Sequence, residues 1–319
     1  MKSAIKEFLP NITLNLSDDA VGKICFNMNA AYFKIGDFLN WYIANCVVGT
    51  LLAIASTLEN FCILLTIWKT SILNTPSYVI LFSLALSDLG VGLLSQPLAV
   101  INSVAKIQGR IGMACVSGAA VAASSTYLCG VSLLCVTAVS IDRYLSLHLH
   151  LRYKQLVTKV RVLLLVVLIW LLAALALIAW PWYPFIITPI AIAVGSLCIL
   201  TTSGCFFRIY LVLRYHRSKM RHNIRSSIEQ TTSNTQDSAV HFRRSVTGMF
   251  LVYIILLFCY LPYLCIVSVI AVRGTNTTNR LLFELARTLV YANSTINPFI
   301  YCWRLQDLRR AIRLRFSCV

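Results

Sequence analysis

Acidic residues are scarce: Asp and Glu together number 11 in a chain of 319. Charged residues of either sign make up only 12 %, against 58 % apolar residues and a mean hydropathy of +0.76. So small a polar complement cannot cover a water-soluble surface, and the apolar surplus must face lipid. The 12 cysteines are too few and too scattered for a disulfide scaffold. Eight of them (Cys62, Cys129, Cys135, Cys198, Cys205, Cys259, Cys265 and Cys302) lie inside apolar stretches, where a thiol is a small hydrophobe. These shortages exclude a soluble enzyme, a disordered chain and a secreted mini-protein. There is no inverted repeat of the kind transporters show, and no set of catalytic groups converges. Met1 to Pro10 hold no apolar core of signal-peptide type.

Apolar windows long enough to cross a bilayer as helices, about 20 residues each, run over 41–68, 77–104, 113–147, 162–181, 185–213, 245–272 and 281–303. The apolar run from Leu163 to Leu213 is too long for one span and is read as two helices. They meet at a very tight turn, Pro181-Trp-Tyr-Pro184. Nineteen of the 28 Lys and Arg residues fall on the side of residues 69–76, 142–161, 208–244 and 304–319. Positive residues mark the cytoplasm, so the N-terminus is outside. The net charge of +17 thus reports topology and attraction to anionic membrane lipid; no nucleic-acid partner is expected. Three parts follow: an outer tail over 1–40, a bundle over 41–303 and a cytoplasmic tail over 304–319. The sequons at Asn11, Asn15 and Asn276 all fall outside, as glycosylation requires. A polar linker, His216 to Ser238, is expected between spans five and six.

Ionisable groups at membrane depth are costly and mark function. Only Glu59 and Asp88 sit well within spans, with Asp142 at the cytoplasmic end of the third. Asp88 has no Lys or Arg at its depth, which leaves a cation or a proton as its counter-charge. Span three ends in Asp142-Arg143-Tyr144. Span six contains Tyr260-Leu-Pro262, and span seven Asn293-Ser294-Thr-Ile-Asn297-Pro298-Phe-Ile-Tyr301. The histidines have no metal-ligand spacing.

With Asn60, Leu84 and Trp170, these markers stand in the order of a rhodopsin-like (class A) G-protein-coupled receptor, which the chain resembles over about 41–316. The resemblance implies an all-α fold: a seven-transmembrane helix bundle with a short amphipathic eighth helix, on which Leu305, Leu308, Ile312 and Phe316 share one face. It implies a multi-pass plasma-membrane protein with an extracellular N-terminus, not an enzyme. The expected partners are an extracellular ligand, a heterotrimeric G protein and membrane lipid. The rival readings are a seven-helix transporter and a non-signalling membrane scaffold. The near-absent second outer loop and the missing fifth-helix proline, with Cys198 in its place, look like melanocortin receptors. Asp142 to Tyr153 and Phe206 to Tyr210 look like adenosine receptors. The chain is thereby placed in the broader melanocortin, adenosine and cannabinoid grouping.

Carried over residue by residue, the resemblance makes Asp142, Arg143, Tyr144, Tyr260, Pro262, Asn297, Pro298 and Tyr301 the activation switch. Arg143 is expected to pair with Asp142 at rest. His241-Phe-Arg-Arg-Ser offers Arg143 no second carboxylate, so the resting clasp is expected to be weak and basal activity high. Relatives ligate sodium where this chain has Asp88, Ser132, Asn293, Ser294 and Asn297, and hard oxygens suit an alkali ion. No other cofactor is expected. The ligand pocket is expected among Gln96, Ser125, Thr126, Cys129, Tyr263 and Arg287. Arg287 either binds a ligand anion or pairs with Glu284, three residues away. Ser125 stands where amine receptors carry an aspartate, and Tyr291 where opsins carry their retinal-linked lysine. The family's usual bridge to the second loop cannot form, because Gly118 occupies the helix-three position; Cys115 is left either free or paired with Cys25.

Overall fold

The computed structural model describes residues 38–69, 75–149, 152–226, 232–274 and 276–304. Its seven long helices are α1 (Leu39–Lys69), α2 (Pro76–Ile107), α3 (Ile111–Leu149), α4 (Lys159–Ala179), α5 (Pro184–Ser226), α6 (Thr232–Arg273) and α7 (Thr277–Arg304). A one-turn helix, Tyr153–Leu156, lies between α3 and α4. The described residues contain no strand.

Local chemistry sets the helix ends. Pro76 opens α2, where its missing N–H breaks no bond. The Thr158 hydroxyl accepts from the Arg161 backbone N–H at the start of α4. Gly274 takes φ +76° after α6, donating back to the Ile270 carbonyl, a left-handed cap that suits a residue without Cβ. Asn276 then caps α7, its Oδ1 accepting from the Asn279 N–H at 2.7 Å. The four residues 180–183 suffice to turn from α4 into α5, as Pro181 and Pro184 indicate.

Six of the helices are long and apolar enough to cross a membrane by composition alone. The seventh, α7, carries Arg280, Glu284, Arg287, Asn293 and Asn297; Glu284 and Asn297 meet Lys106 and Asp88 of α2, while the helix packs between α1 and α6. Side chains such as Leu164 (63 % exposed) and Phe258 (65 %) line the outside of the bundle. Leu84, Val131, Leu256, Tyr260 and Val290 fill its centre. This apolar exterior around a partly polar interior is the arrangement lipid demands.

Two features depart from the sequence reading. The described parts of the polar segment His216 to Ser238, residues 216–226 and 232–238, are helical and not linker. Helix α5 continues to Ser226 and α6 begins at Thr232, because no Pro or Gly occurs between Gly204 and Gly248 to stop either. Helix α2 is also interrupted by a π-turn, Val91–Ser95, where the Gln96 N–H reaches the Val91 carbonyl. Pro97 supplies the cause: it cannot donate into the ladder, and its ring crowds the carbonyl one turn back, so the helix widens. The widened turn brings Gly92 against α1. A Cβ there would lie 2.7 Å from Thr57 Oγ1 and 3.0 Å from Thr57 N. Gly92→Ala is therefore expected to destabilise the bundle by about 1–3 kcal/mol, read as a lowered thermal midpoint. Gly204→Ala, where a Cβ meets nothing within 4 Å, serves as the unaffected control.

The expected eighth helix, the sequons at Asn11 and Asn15, and Cys25 lie outside the described residues, as does the side chain of Tyr301.

Candidate functional site

Three polar clusters lie on the bundle axis. At mid-depth, the fully buried Asp88 of α2 takes three hydrogen bonds. Ser132 of α3 and Ser294 of α7 donate to Oδ1 at 2.9 and 2.8 Å, and Asn297 Nδ2 donates to Oδ2 at 2.8 Å. No basic side chain pairs with Asp88 among the described residues. The resemblance implied this grouping, and helical spacing agrees with it: Asn293 and Asn297 are one turn apart on α7. Asn293, expected in the same ring, is buried, but its Nδ2 has no hydrogen-bond partner. Asn60 of α1 ties the cluster outward, donating to the Ser56 carbonyl at 2.9 Å and the Ser294 carbonyl at 3.0 Å. Ser56 donates to the Asp88 carbonyl at 3.2 Å, a link that no sequence spacing announces. Trp170 of α4 donates to Ser83 at 2.9 Å, which anchors α4 to α2.

At the cytoplasmic end, Asp142 keeps the expected ion pair with Arg143 and has two closer partners besides. Its nearest partners are not Arg143 but Ser77 of α2, donating to Oδ2 at 2.8 Å, and Tyr153, donating to Oδ1 at 2.6 Å. Arg143 Nε stands 3.7 Å from the same carboxylate, an ion pair without a hydrogen bond. Burial, then the bond to Asp142, pushes the Tyr153 hydroxyl above its usual range, so it remains a proton donor at neutral pH. Tyr144 stacks on His148 with centroids 5.6 Å apart. Pro262 and Pro298 lie inside α6 and α7, and Tyr260 is buried in the core.

The outer cluster joins α2, α3 and α7. Ser125 Oγ and Tyr291 Oη are 2.5 Å apart. Lys106 donates to Glu284 Oε1 at 2.8 Å, and Arg287 donates to Glu284 Oε2. The guanidinium also lies 5.7 Å over the Phe283 ring. The expectation that Arg287 awaits a ligand anion therefore yields to its alternative, the pair with Glu284, with Lys106 as a third member that the sequence did not reveal. Thr126 is also corrected. It is exposed on the outside of α3, about 100° around the helix from buried Ser125. Tyr263 packs at 5.7 Å from Phe283, and Cys129 is half-buried against the core. Gln96 is wholly buried with neither amide atom hydrogen-bonded. It borders a narrow void of about 10 Å³ shared with Asn45, Arg287 and Tyr291, room for one water. Cys115 is disulfide-bonded, and its partner lies outside the described residues. The described residues hold no cluster of three His, Cys, Asp or Glu side chains suited to a metal.

Residues 59–301 match the family model of the 7 transmembrane receptor (rhodopsin family). The chain belongs to that family. Among curated proteins it is similar to cannabinoid receptor 1 of Xenopus laevis, 26 % identical over 304 residues, covering 85 % of this chain and 63 % of the relative. Cannabinoid receptor 1 of Taricha granulosa is likewise 26 % identical, over 83 % of this chain and 61 % of its own length. The human histamine H2 receptor is 25 % identical, over 85 % of this chain and 79 % of its own. The chain thus spans somewhat under two thirds of the cannabinoid relatives' length. Family membership accounts for the bundle, the apolar exterior and the Asp142-Arg143-Tyr144 and Asn297-Pro298-Phe-Ile-Tyr301 motifs together, and sets aside the transporter reading.

Proposed function

We propose that this chain is a plasma-membrane receptor, N-terminus outside, that passes the binding of an extracellular ligand to a cytoplasmic heterotrimeric G protein. The observation that carries this reading is the Asp88 cluster: one buried carboxylate bonded from α3 and α7 at once, so the relative positions of three helices depend on its state. The resemblance to cannabinoid and histamine receptors supports the class. Ser125 in place of an aspartate argues against a charge-paired amine, despite the histamine relative. With Arg287 committed to Glu284, the groups left to meet a ligand are Gln96, Ser125, Cys129, Tyr260 and Tyr263. The two unpaired amide atoms of Gln96 favour a ligand with an uncharged polar group. The melanocortin, adenosine and cannabinoid grouping remains the finer proposal within the class.

The same cluster fits a sodium ion that favours the inactive form. Asp88, Ser132 and Ser294 present hard oxygens, and one carboxylate matches the charge of an alkali ion. Asn297, whose Nδ2 donates to Asp88, would have to turn its amide to add its oxygen. Asn293, with an amide hydrogen-bonded nowhere at Nδ2, is free to turn its oxygen inward. When bound, the ion supplies the positive charge that Asp88 otherwise lacks. The chain's own part is to hold the carboxylate with three donors from two neighbouring helices.

The test of function is guanine-nucleotide exchange on purified heterotrimeric G proteins by the reconstituted full chain. Exchange above protein-free bilayers, abolished in Arg143→Ala, is the expected result; no exchange with any G-protein class would favour the scaffold reading. A finer prediction concerns the resting state. Tyr153→Phe removes one of the two short bonds to Asp142, worth about 1 kcal/mol, and is expected to raise basal exchange by up to about fivefold. Unchanged basal exchange would mean that Tyr153 does not hold the resting form.

A further inference from the structure

A groove of about 570 Å³ runs along the outside of the bundle between α3 and α5. Tyr144 of α3 forms one wall; Gly204, Cys205, Phe207, Arg208 and Leu211 of α5 form the floor and the other wall. Phe207 is 61 % exposed, so this face looks into lipid. Within it sits one cation. The Arg208 guanidinium is exposed and has no ion-pair partner among the described residues.

Its depth is informative. Arg208 follows Phe185, the first residue of the apolar span Phe185–Val212, by about 35 Å of helix at ~1.5 Å per residue. The hydrocarbon layer is about 30 Å thick. The guanidinium therefore reaches the headgroup layer of the cytoplasmic leaflet while its aliphatic stem stays along the groove. Gly204 keeps the groove open one turn deeper: a Cβ there would meet no atom within 4 Å.

We propose that this groove is a binding site for one anionic phospholipid of the cytoplasmic leaflet. Arg208 holds the phosphate by paired N–H···O bonds, and an acyl chain lies over Gly204, Cys205 and Phe207. A guanidinium with no carboxylate partner among the described residues favours a lipid of net negative charge over a zwitterionic one, in keeping with the basic cytoplasmic side. Because Tyr144 directly follows Arg143, an occupied groove borders the cytoplasmic switch. The site depends on the membrane reading and not on signalling, so it is tested by binding.

The full chain is reconstituted in nanodiscs of equimolar phosphatidylserine and phosphatidylcholine, extracted into detergent and read by native mass spectrometry. The expected result is a single retained phosphatidylserine, in several-fold excess over phosphatidylcholine. Arg208→Gln and Gly204→Leu are each expected to reduce that adduct several-fold. The first removes the anchor and the second fills the groove at unchanged charge. Arg214→Gln, which removes an equal charge from an exposed position outside the groove, leaves it intact. Equal retention of the two lipids, full retention in Gly204→Leu, or an equal loss in Arg214→Gln overturns the proposal.

Discussion

Asp88→Ala is expected to lower the stability of the bundle by on the order of 3 kcal/mol, since three buried donors lose their acceptor at once. Ser132, Ser294 and Asn297 come from two other helices and are themselves buried, so each is left short of an acceptor. The readout is the thermal midpoint of the purified chain in detergent. Asp88→Asn is the gentler and more telling change. It keeps the shape and one accepting oxygen, but sets an NH2 group where the carboxylate met the Asn297 amide, and it removes the only negative charge in the cluster. If sodium occupies the site, basal nucleotide exchange by the wild type falls when sodium replaces a bulky organic cation at fixed ionic strength. In Asp88→Asn that dependence is expected to vanish. A sodium effect of equal size in both proteins would place the ion elsewhere, whereas the stability loss in Asp88→Ala tests the hydrogen-bond geometry independently of any ion.

The parts legible in the sequence are those governed by one helix or by the membrane. Apolar runs bounded by basic residues locate α1 to α6, because lipid imposes the pattern residue by residue. Pro181 and Pro184 mark the α4–α5 turn for the same local reason. The ring around Asp88 was expected from the resemblance to rhodopsin-like receptors, and the spacing only agrees with it: Asn297 lies one turn from Asn293, and Ser132 about three turns from Arg143. What escaped are contacts made only by packing. Ser77 and Tyr153 meet Asp142 from different elements, with nothing in either sequence neighbourhood to announce it. Lys106 reaches Glu284 across 178 positions of chain. Thr126 was misplaced because neighbouring helical residues point about 100° apart, which turns Thr126 outward while Ser125 meets Tyr291 inside. The π-turn of α2 did have a signal, Pro97, and it shifts the helical phase of everything after Ser95, Gln96 included.

Glu284→Gln is expected to cost about 3–5 kcal/mol, the usual penalty for leaving a buried charge without its partner. The exposure of the three members decides how that cost is divided. The Glu284 and Arg287 side chains are 6 % and 9 % exposed, so Arg287 cannot regain water when its carboxylate is lost. Lys106 is 30 % exposed and sits at the rim, where its ammonium turns outward at little cost. Lys106→Gln is therefore expected to lower the thermal midpoint only slightly, by at most about 1 kcal/mol of stability. The double change Glu284→Leu with Arg287→Leu removes both buried charges and is expected to recover most of what Glu284→Gln loses, since apolar replacements of such pairs are often neutral. Thermal midpoints and surface expression of the four proteins form the test. Should Glu284→Gln and Lys106→Gln prove equally mild, the Glu284–Arg287 pair is hydrated and its two charges are dispensable to the fold. The same measurement then bears on the outer pocket, because a loosely held Arg287 is again available to a ligand anion, whereas a tightly held one leaves recognition to Gln96 and the hydroxyls of Ser125 and Tyr263.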